Sequence, residues 1–467
     1  MTDYPLLIGG ELVPGDATLD VVNPATGAVF AVASRASAAQ LDQAVAAARA
    51  AFPGWRATDV AERGRLIGQL ADAVEANADE LARLLTAEQG KPLAEARMEV
   101  DGAAGMLRYF ARVRLDPEVR EDSDRRHVEL VRRPLGVVGA IVPWNFPLLI
   151  LIGKVGPALA TGNTMVAKPA PTTPLTALRF GALAAGILPP GVLNVIADAN
   201  DLGPAMSAHA GIDKISFTGS TATGTRVMQG SASTLKRLTL ELGGNDAALV
   251  LDDADPVSIA PYLFGAAFTN NGQICVAVKR IYAHERIYDS LCSELAALAD
   301  KAVPGDGAEQ GVTHGPLQNA AQLARVEELV ADARERGRII SGGSRPDLPG
   351  FFFRPTIVRD IEDGSRLVDE EQFGPVLPVI RYNDLDDAVE RVNRSPYGLG
   401  GSVWSSDTAR ARSVAERIDA GTVWINQHLD SLPHIPFGGA KASGLGVEFG
   451  REGLAEYTQL HVINQAR

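Results

Sequence analysis

The stretch Lys214-Ile215-Ser216-Phe217-Thr218-Gly219-Ser220-Thr221-Ala222-Thr223-Gly224 decides the fold. It begins as a strand, turns at Gly219, and opens a helix with the polar residues that follow. Free backbone N–H groups at a helix start, with the Ser220 hydroxyl beside them, suit a pyrophosphate. Thr221 stands where a G-x-G-x-x-G fingerprint would carry its middle glycine. The turn alone therefore does not separate a phosphate site from an ordinary capped helix.

Similar runs flank it. Gly136 to Val142, Thr164 to Ala167, Leu193 to Ile196 and Leu238 to Leu240 are short, rich in β-branched residues and mostly separated by helical patterns. That rhythm signals βαβ units and a parallel sheet, whose ligands bind at the carboxyl ends of the strands. Asn145, Lys168, Gly219 and Glu241 fall at those ends. A second α/β block runs from Asn245 to about Phe437. Its strands are expected at Ala247 to Val250, Arg280 to Ala283, Ile339 to Ser341, Val376 to Ile380, Gly401 to Trp404 and Thr422 to Ile425.

Upstream, a strand-like arm spans Leu6 to Val13, and Ser37 can cap a helix over Ala38 to Ala51. Leu66, Leu70, Val74, Leu81, Leu84 and Leu85 recur at helical spacing. Leu115 to Arg133 is dense in acids and arginines and ends in His127-Val128-Glu129-Leu130-Val131, an alternating edge strand. Such a strand can pair with another subunit or close a solvated hairpin. A last strand is expected at Leu460 to Asn464.

Composition excludes several classes. A chain of 467 residues exceeds one compact core, and about two to three domains are expected. The net charge of -13 disfavours nucleic acid and anionic membranes as partners. Two cysteines make no disulfide framework, and Met1-Thr2-Asp3-Tyr4-Pro5 lacks the features of a signal peptide, so a cytoplasmic protein is expected. Pro134 to Gly153 carries no charge over 20 residues, but Pro143 and Pro147 around Trp144-Asn145-Phe146 would break a membrane helix. A buried strand, a turn and a helix from about Leu148 explain the same residues.

Several side chains invite chemistry, each with an ordinary alternative. Cys275 lies in Asn270-Asn271-Gly272-Gln273-Ile274-Cys275-Val276, a polar break where a thiol could meet a ligand, although a lone Cys is usually a buried apolar residue. Glu241, before Leu242-Gly243-Gly244, could serve as a general base or be a surface strand-end acid. Asn145 could stabilise an oxyanion or merely fill a turn. Lys168 could meet ribose or phosphate or lie solvated at a strand end. Glu370-Glu371-Gln372-Phe373 sets acids beside an aromatic able to stack on a ring, or forms a helix-end charge pair.

Together the motifs Pro143-Trp144-Asn145-Phe146-Pro147, Phe217-Thr218-Gly219-Ser220, Glu241-Leu242-Gly243-Gly244, Gly272-Gln273-x-Cys275, Glu371-x-Phe373-Gly374-Pro375 and Pro436-Phe437-Gly438-Gly439 occur in one order. In that order and approximate spacing the chain resembles the NAD(P)-dependent aldehyde dehydrogenase superfamily, over nearly its whole length. The resemblance implies an α/β protein of two Rossmann-like domains, for cofactor and catalysis, plus a small β oligomerisation extension. Cofactor binding would fall to residues 1–112 and 134–244, catalysis to 245–437, and oligomerisation to 113–133 and 438–467. A homodimer or homotetramer follows.

By the same resemblance Cys275 is the nucleophile toward a small-molecule aldehyde, for which the sequence permits a medium-sized hydrophobic or aromatic one, and Asn145 with the Cys275 N–H holds the oxyanion. Glu241 is the base for thioester hydrolysis, and Lys154 lies on a proton path from it. Gly219 and Ser220, with Gly224 on the same helix, mark the pyrophosphate site. Lys168 is implied at the adenosine ribose, and Glu371 and Gln322 at the nicotinamide ribose. Phe373 packs near the nicotinamide, with Ile141, Trp144, Leu242 and Gly243 as walls. The cofactor is NAD or NADP, NAD being favoured, and no metal is implied. Two departures stand out: Pro171 replaces a glutamate frequent in NAD-preferring members, and Asn245 replaces a lysine frequent after the Glu-Leu-Gly-Gly motif. A CoA-acylating aldehyde dehydrogenase is the alternative, and a nicotinamide-independent thiol hydrolase or acyltransferase a further one. The loop Asn426-Gln427-His428-Leu429-Asp430-Ser431-Leu432 is expected to line the aldehyde channel, and Cys292 to be structural.

Overall fold

The computed structural model describes residues 4–467. Met1, Thr2 and Asp3, part of the start read above for a signal sequence, lie outside the described residues.

Five consecutive parallel strands form the heart of the first sheet: Leu193–Val195, Thr164–Lys168, Val137–Ile141, Lys214–Thr218 and Arg237–Glu241, in that spatial order. The chain builds outward from Val137 to Leu193, then returns to add Lys214 and Arg237 on the other side. The strand order reverses between Val137–Ile141 and Lys214–Thr218, and in a doubly wound sheet a crevice opens at that point. Val137–Ile141 and Thr164–Lys168 are buried at every position, because helices such as Pro147–Ala160 and Leu175–Ala185 cover the sheet. This burial keeps the middles of the strands apolar and makes them legible in sequence.

The second sheet has seven strands, in the order Arg338–Ser341, Thr356–Arg359, Val376–Tyr382, Val278–His284, Asp246–Val250, Gly400–Trp404 and Thr422–Ile425. All pairings but the first are parallel. Asp246 begins one of its inner strands only five positions beyond Glu241, so the carboxyl edge of the first sheet is joined closely to the second. A third sheet of Thr458–Ala466, Arg126–Pro134 and Glu118–Asp122 is antiparallel throughout. No helix among the described residues is long and apolar enough to cross a membrane.

Several expectations need correction. The arm Leu6 to Val13 is a hairpin, Leu6–Ile8 and Glu11–Val13, turned at Gly9 and Gly10 with φ of 65° and 91°. The helix capped by Ser37 continues to Ala57 through Pro53, supported by a complete capping box with Gln40. Arg126–Pro134 is the middle strand of its sheet, paired on both sides within the chain, and Thr458–Ala466 takes the outer place. The hairpin Ala17–Asn23 with Ala28–Arg35 and the strand Thr356–Arg359 were not expected at all. Beyond Phe437, Ala440–Lys441 pairs with Tyr397–Gly398 and Gly444–Leu445 with Arg237–Glu241, so this segment also stitches the larger units together.

Candidate functional site

Cys275 follows a sharply bent turn. After the helix Pro256–Phe268, Asn270, Asn271 and Gly272 take left-handed φ values of 51°, 53° and 73°. Gly272 is the only residue type that fits, since a Cβ there would run into the Gly374 carbonyl. The turn leaves Cys275 partly exposed, with Phe146, Leu429 and Phe437 packed around the same small cluster. Burial and the nearby carboxylates Glu241, Asp246 and Glu371 push its thiol up, while the Val276 N–H lowers it. Cys292 is fully buried on the helix Glu285–Asp300, in keeping with its structural reading.

Asn145 meets this turn from the first sheet. Its Nδ2 donates to the Gln273 carbonyl at 3.0 Å. Its own carbonyl accepts from Asn270 Nδ2 at 3.0 Å and Lys91 Nζ at 2.9 Å. Lys91 is fully buried, paired with Glu99, and that carboxylate also accepts the N–H groups of Leu148 and Leu149. The amide is thus fixed from the far side before any ligand arrives.

Glu241 ends its strand almost completely buried, and neither carboxylate oxygen has a partner. Its pKa is pushed well up, by burial first and by the charge of Glu448, with Lys154 opposing. Lys154, fully buried in an apolar helix, holds Glu448 Oε1 at 2.5 Å and Ser216 Oγ at 3.1 Å, and Tyr457 Oη reaches the same Ser216 at 3.1 Å. The side chain does not snorkel. It is the cation of an internal polar network beside Glu241.

Between these groups lies a cavity of about 270 Å³, lined by residues that include Trp144, Asn145, Thr218, Gly219, Ser220, Leu242, Gly243, Cys275, Gln322, Glu371 and Phe373. Glu371 accepts the Gly244 N–H at 2.9 Å, and a Cβ on Gly243 would meet it at 2.7 Å. Burial pushes its carboxyl up to about 7. Phe373 has φ 47° and is held there by Gln322 Nε2, which donates to the Gln372 and Phe373 carbonyls at 2.8 and 2.9 Å. The Phe373 ring meets Trp144 edge-on, 5.4 Å between centroids. Ser220 caps the helix Thr221–Ser231, and Thr218 Oγ1 is buried without a partner. Helix N–H groups, an unpaired hydroxyl, a carboxylate and a shelf of two rings are a donor set that fits a dinucleotide.

The cavity therefore gathers Asn145, Cys275, Trp144, Gly219, Ser220, Leu242, Gly243, Gln322, Glu371 and Phe373. Ile141, Lys154, Lys168, Gly224 and Glu241 lie behind its lining. Gly224 is buried where a Cβ would strike Leu242, so it sets how closely helix and strand pack. Lys168 is not solvated: it is 2% exposed and paired with Asp198 at 2.8 Å. Sequence reasoning missed Glu448, Lys91 and Lys279. The last is a buried lysine whose Nζ donates to the carbonyls of Gly272 and Gly374, joining the turn before Cys275 to the Glu371 loop. Only their placement in space marks these residues.

A model described as the aldehyde dehydrogenase family matches residues 12–463. A phenylacetaldehyde dehydrogenase of Pseudomonas fluorescens is 40% identical over 97% of this chain and 94% of its own. A mitochondrial succinate-semialdehyde dehydrogenase of Arabidopsis thaliana is 40% identical over 98% of this chain and 88% of its own. Among solved structures, an NAD+ complex of an aldehyde dehydrogenase from Bacillus cereus superposes with a TM-score of 0.97 at 36% identity, covering 99% of this chain and 96% of that one.

Proposed function

The chain belongs to the aldehyde dehydrogenase family, and from that premise we propose that this NAD(P)-using oxidoreductase converts an aldehyde to its carboxylic acid through a covalent intermediate on Cys275. One observation carries the reading: a partly exposed thiol, a pre-fixed amide and an unpartnered carboxyl meet beside a cavity whose lining includes Gly219, Ser220 and Glu371.

Cys275 attacks the aldehyde carbon, and its proton leaves toward a neighbouring base as a thiohemiacetal forms. The Asn145 amide and the Cys275 N–H hold the oxyanion. When bound, the nicotinamide supplies the hydride acceptor that oxidises this adduct to a thioester. Glu241 then takes a proton from water, which attacks the thioester, expels the Cys275 thiolate and releases the acid. The raised carboxyl of Glu241 suits that base role, and Lys154 with Glu448 offers its proton an internal exit. Gly219 and Ser220 receive the pyrophosphate, with Gly224 allowing their helix to approach, and Lys168 faces the adenosine ribose. Glu371 and Gln322 serve the nicotinamide ribose, while Phe373, Trp144, Ile141, Leu242 and Gly243 shape the ring site.

Phe146, Trp424, Leu429 and Phe437 around the thiol support an apolar or aromatic aldehyde over one bearing a second charge. The same reading assigns cofactor binding to residues 1–112 and 134–244, catalysis to 245–437, and self-association as a dimer or tetramer to 113–133 and 438–467. The test is turnover of phenylacetaldehyde and succinate semialdehyde with NAD and NADP, following reduced nicotinamide and the acid together. Free acid in step with reduced cofactor is expected, faster for the aromatic aldehyde. Product that accumulates only as a CoA thioester when CoA is added would favour the acylating alternative. Cys275→Ala is expected to lower turnover by at least about a thousandfold while still binding cofactor.

A further inference from the structure

Lys168 and Asp198 form a buried ion pair in which only the lysine keeps a small exposed edge: Nζ to Oδ1 is 2.8 Å, and the two side chains are 3% and 0% exposed. Asp198 is held in turn, its Oδ2 accepting the Leu202 N–H at 2.8 Å. Lys168 lies level with the cavity edge, because it pairs with Ile141 in the sheet and its carbonyl accepts the Val142 N–H at 3.0 Å. The loop that carries Asp198 holds a second acid, Asp201, which takes Arg35 at 2.8 Å, and Asn200 between them has φ 73°. Two cations near this edge are thus committed to carboxylates of one short loop. Pro171, in the turn after Lys168, adds neither a donor nor a charge.

The two common dinucleotides differ by a phosphate on the adenosine ribose, and a site that accepts the phosphate needs a cation free to meet it. A lysine locked to a buried carboxylate offers no net positive charge, and its hydrogens are partly spent. A ribose hydroxyl asks much less of the same ammonium. We infer that Asp198, by neutralising Lys168, is the specificity-determining residue that makes this chain prefer NAD to NADP. The inference rests on the cofactor reading above, in which Lys168 faces the adenosine ribose.

The test measures cofactor dissociation constants directly, by quenching of tryptophan fluorescence or calorimetry, so that it does not depend on which aldehyde is oxidised. The wild-type chain is expected to bind NAD at least about tenfold more tightly than NADP. Asp198→Asn, which keeps an acceptor for Leu202 but frees the ammonium, is expected to shrink that preference by about tenfold, mostly by improving NADP. Asp201→Asn is expected to leave the ratio unchanged. If Asp198→Asn does not fold, the paired change Lys168→Met with Asp198→Leu replaces a buried ion pair by apolar groups of similar size, which cores often tolerate. Its NAD to NADP ratio is expected to stay within about threefold of wild type, since a net neutral pair was removed. Equal binding of both cofactors by the wild type, an unchanged ratio in Asp198→Asn, or selective loss of NADP in the paired variant would each overturn the inference. Loss of binding to both cofactors in the folded wild type would instead overturn the dinucleotide reading itself.

Discussion

Glu371 carries a readable pH signature. Its carboxyl sits at about 7 in the folded chain, against an ordinary 4.5, chiefly because it is buried. The folded state therefore holds this proton more tightly than the unfolded one. That contribution is fully present below about pH 4.5 and is lost as pH rises through about 7, a swing of about 3 kcal/mol at most. Glu371→Gln removes the titration, so the apo variant is expected to lose less stability than wild type between about pH 5 and pH 8, as measured by denaturant unfolding. A second prediction concerns timing. Glu241→Gln is expected to slow hydrolysis about a hundredfold or more while sparing hydride transfer. A rapid burst of reduced nicotinamide would then precede a slow steady state, and a variant showing no burst at an unimpaired rate would contradict the base role.

At the scale of elements, the turn before Cys275 and the loop after Glu371 form one seam. Gly272→Ala would place a methyl against the Gly374 carbonyl at a left-handed φ. A cost of about 1–3 kcal/mol is expected, with a fall in kcat larger than the change in cofactor affinity, checked by unfolding and steady-state kinetics. Elements differ in how visible they are in sequence for the same physical reason. The parallel strands buried on both faces are announced by continuous apolar runs, and Gly400–Trp404 falls within one residue of the expected Gly401 to Trp404. The hairpin Ala17–Asn23 with Ala28–Arg35 is mostly exposed and carries no such pattern. Thr356–Arg359 is too short to show a period. The site follows the same rule. Asn145, Glu241 and Cys275 occupy strand ends or a turn near glycine, where local sequence is informative. Lys91 reaches the site through the Asn145 carbonyl, 54 positions on, and Glu448 through Lys154, 294 positions back, and no local spacing reveals a long-range contact.

The whole molecule presents an apolar rim on its three-stranded sheet. Leu460, Val462 and Ile463 of the C-terminal strand and Val119 of the opposite edge strand are each more than two-fifths exposed. On a sheet this small, such exposure fits a surface that another copy covers. Val462→Glu is expected to shift the protein to a smaller species in light scattering without lowering its unfolding midpoint per subunit by more than about 1 kcal/mol. An unchanged mass would rule this sheet out as such a surface.

The partnership of Lys154 with Glu448 also sets a clock on synthesis. The two residues are 294 positions apart. At common translation rates the ribosome needs about 15–60 s to travel from one to the other. Throughout that interval the nascent chain carries an ammonium destined for a dry interior with no counter-ion to meet it. The carboxyl network of the site therefore cannot be complete until Glu448, close to the end of the chain, has been made.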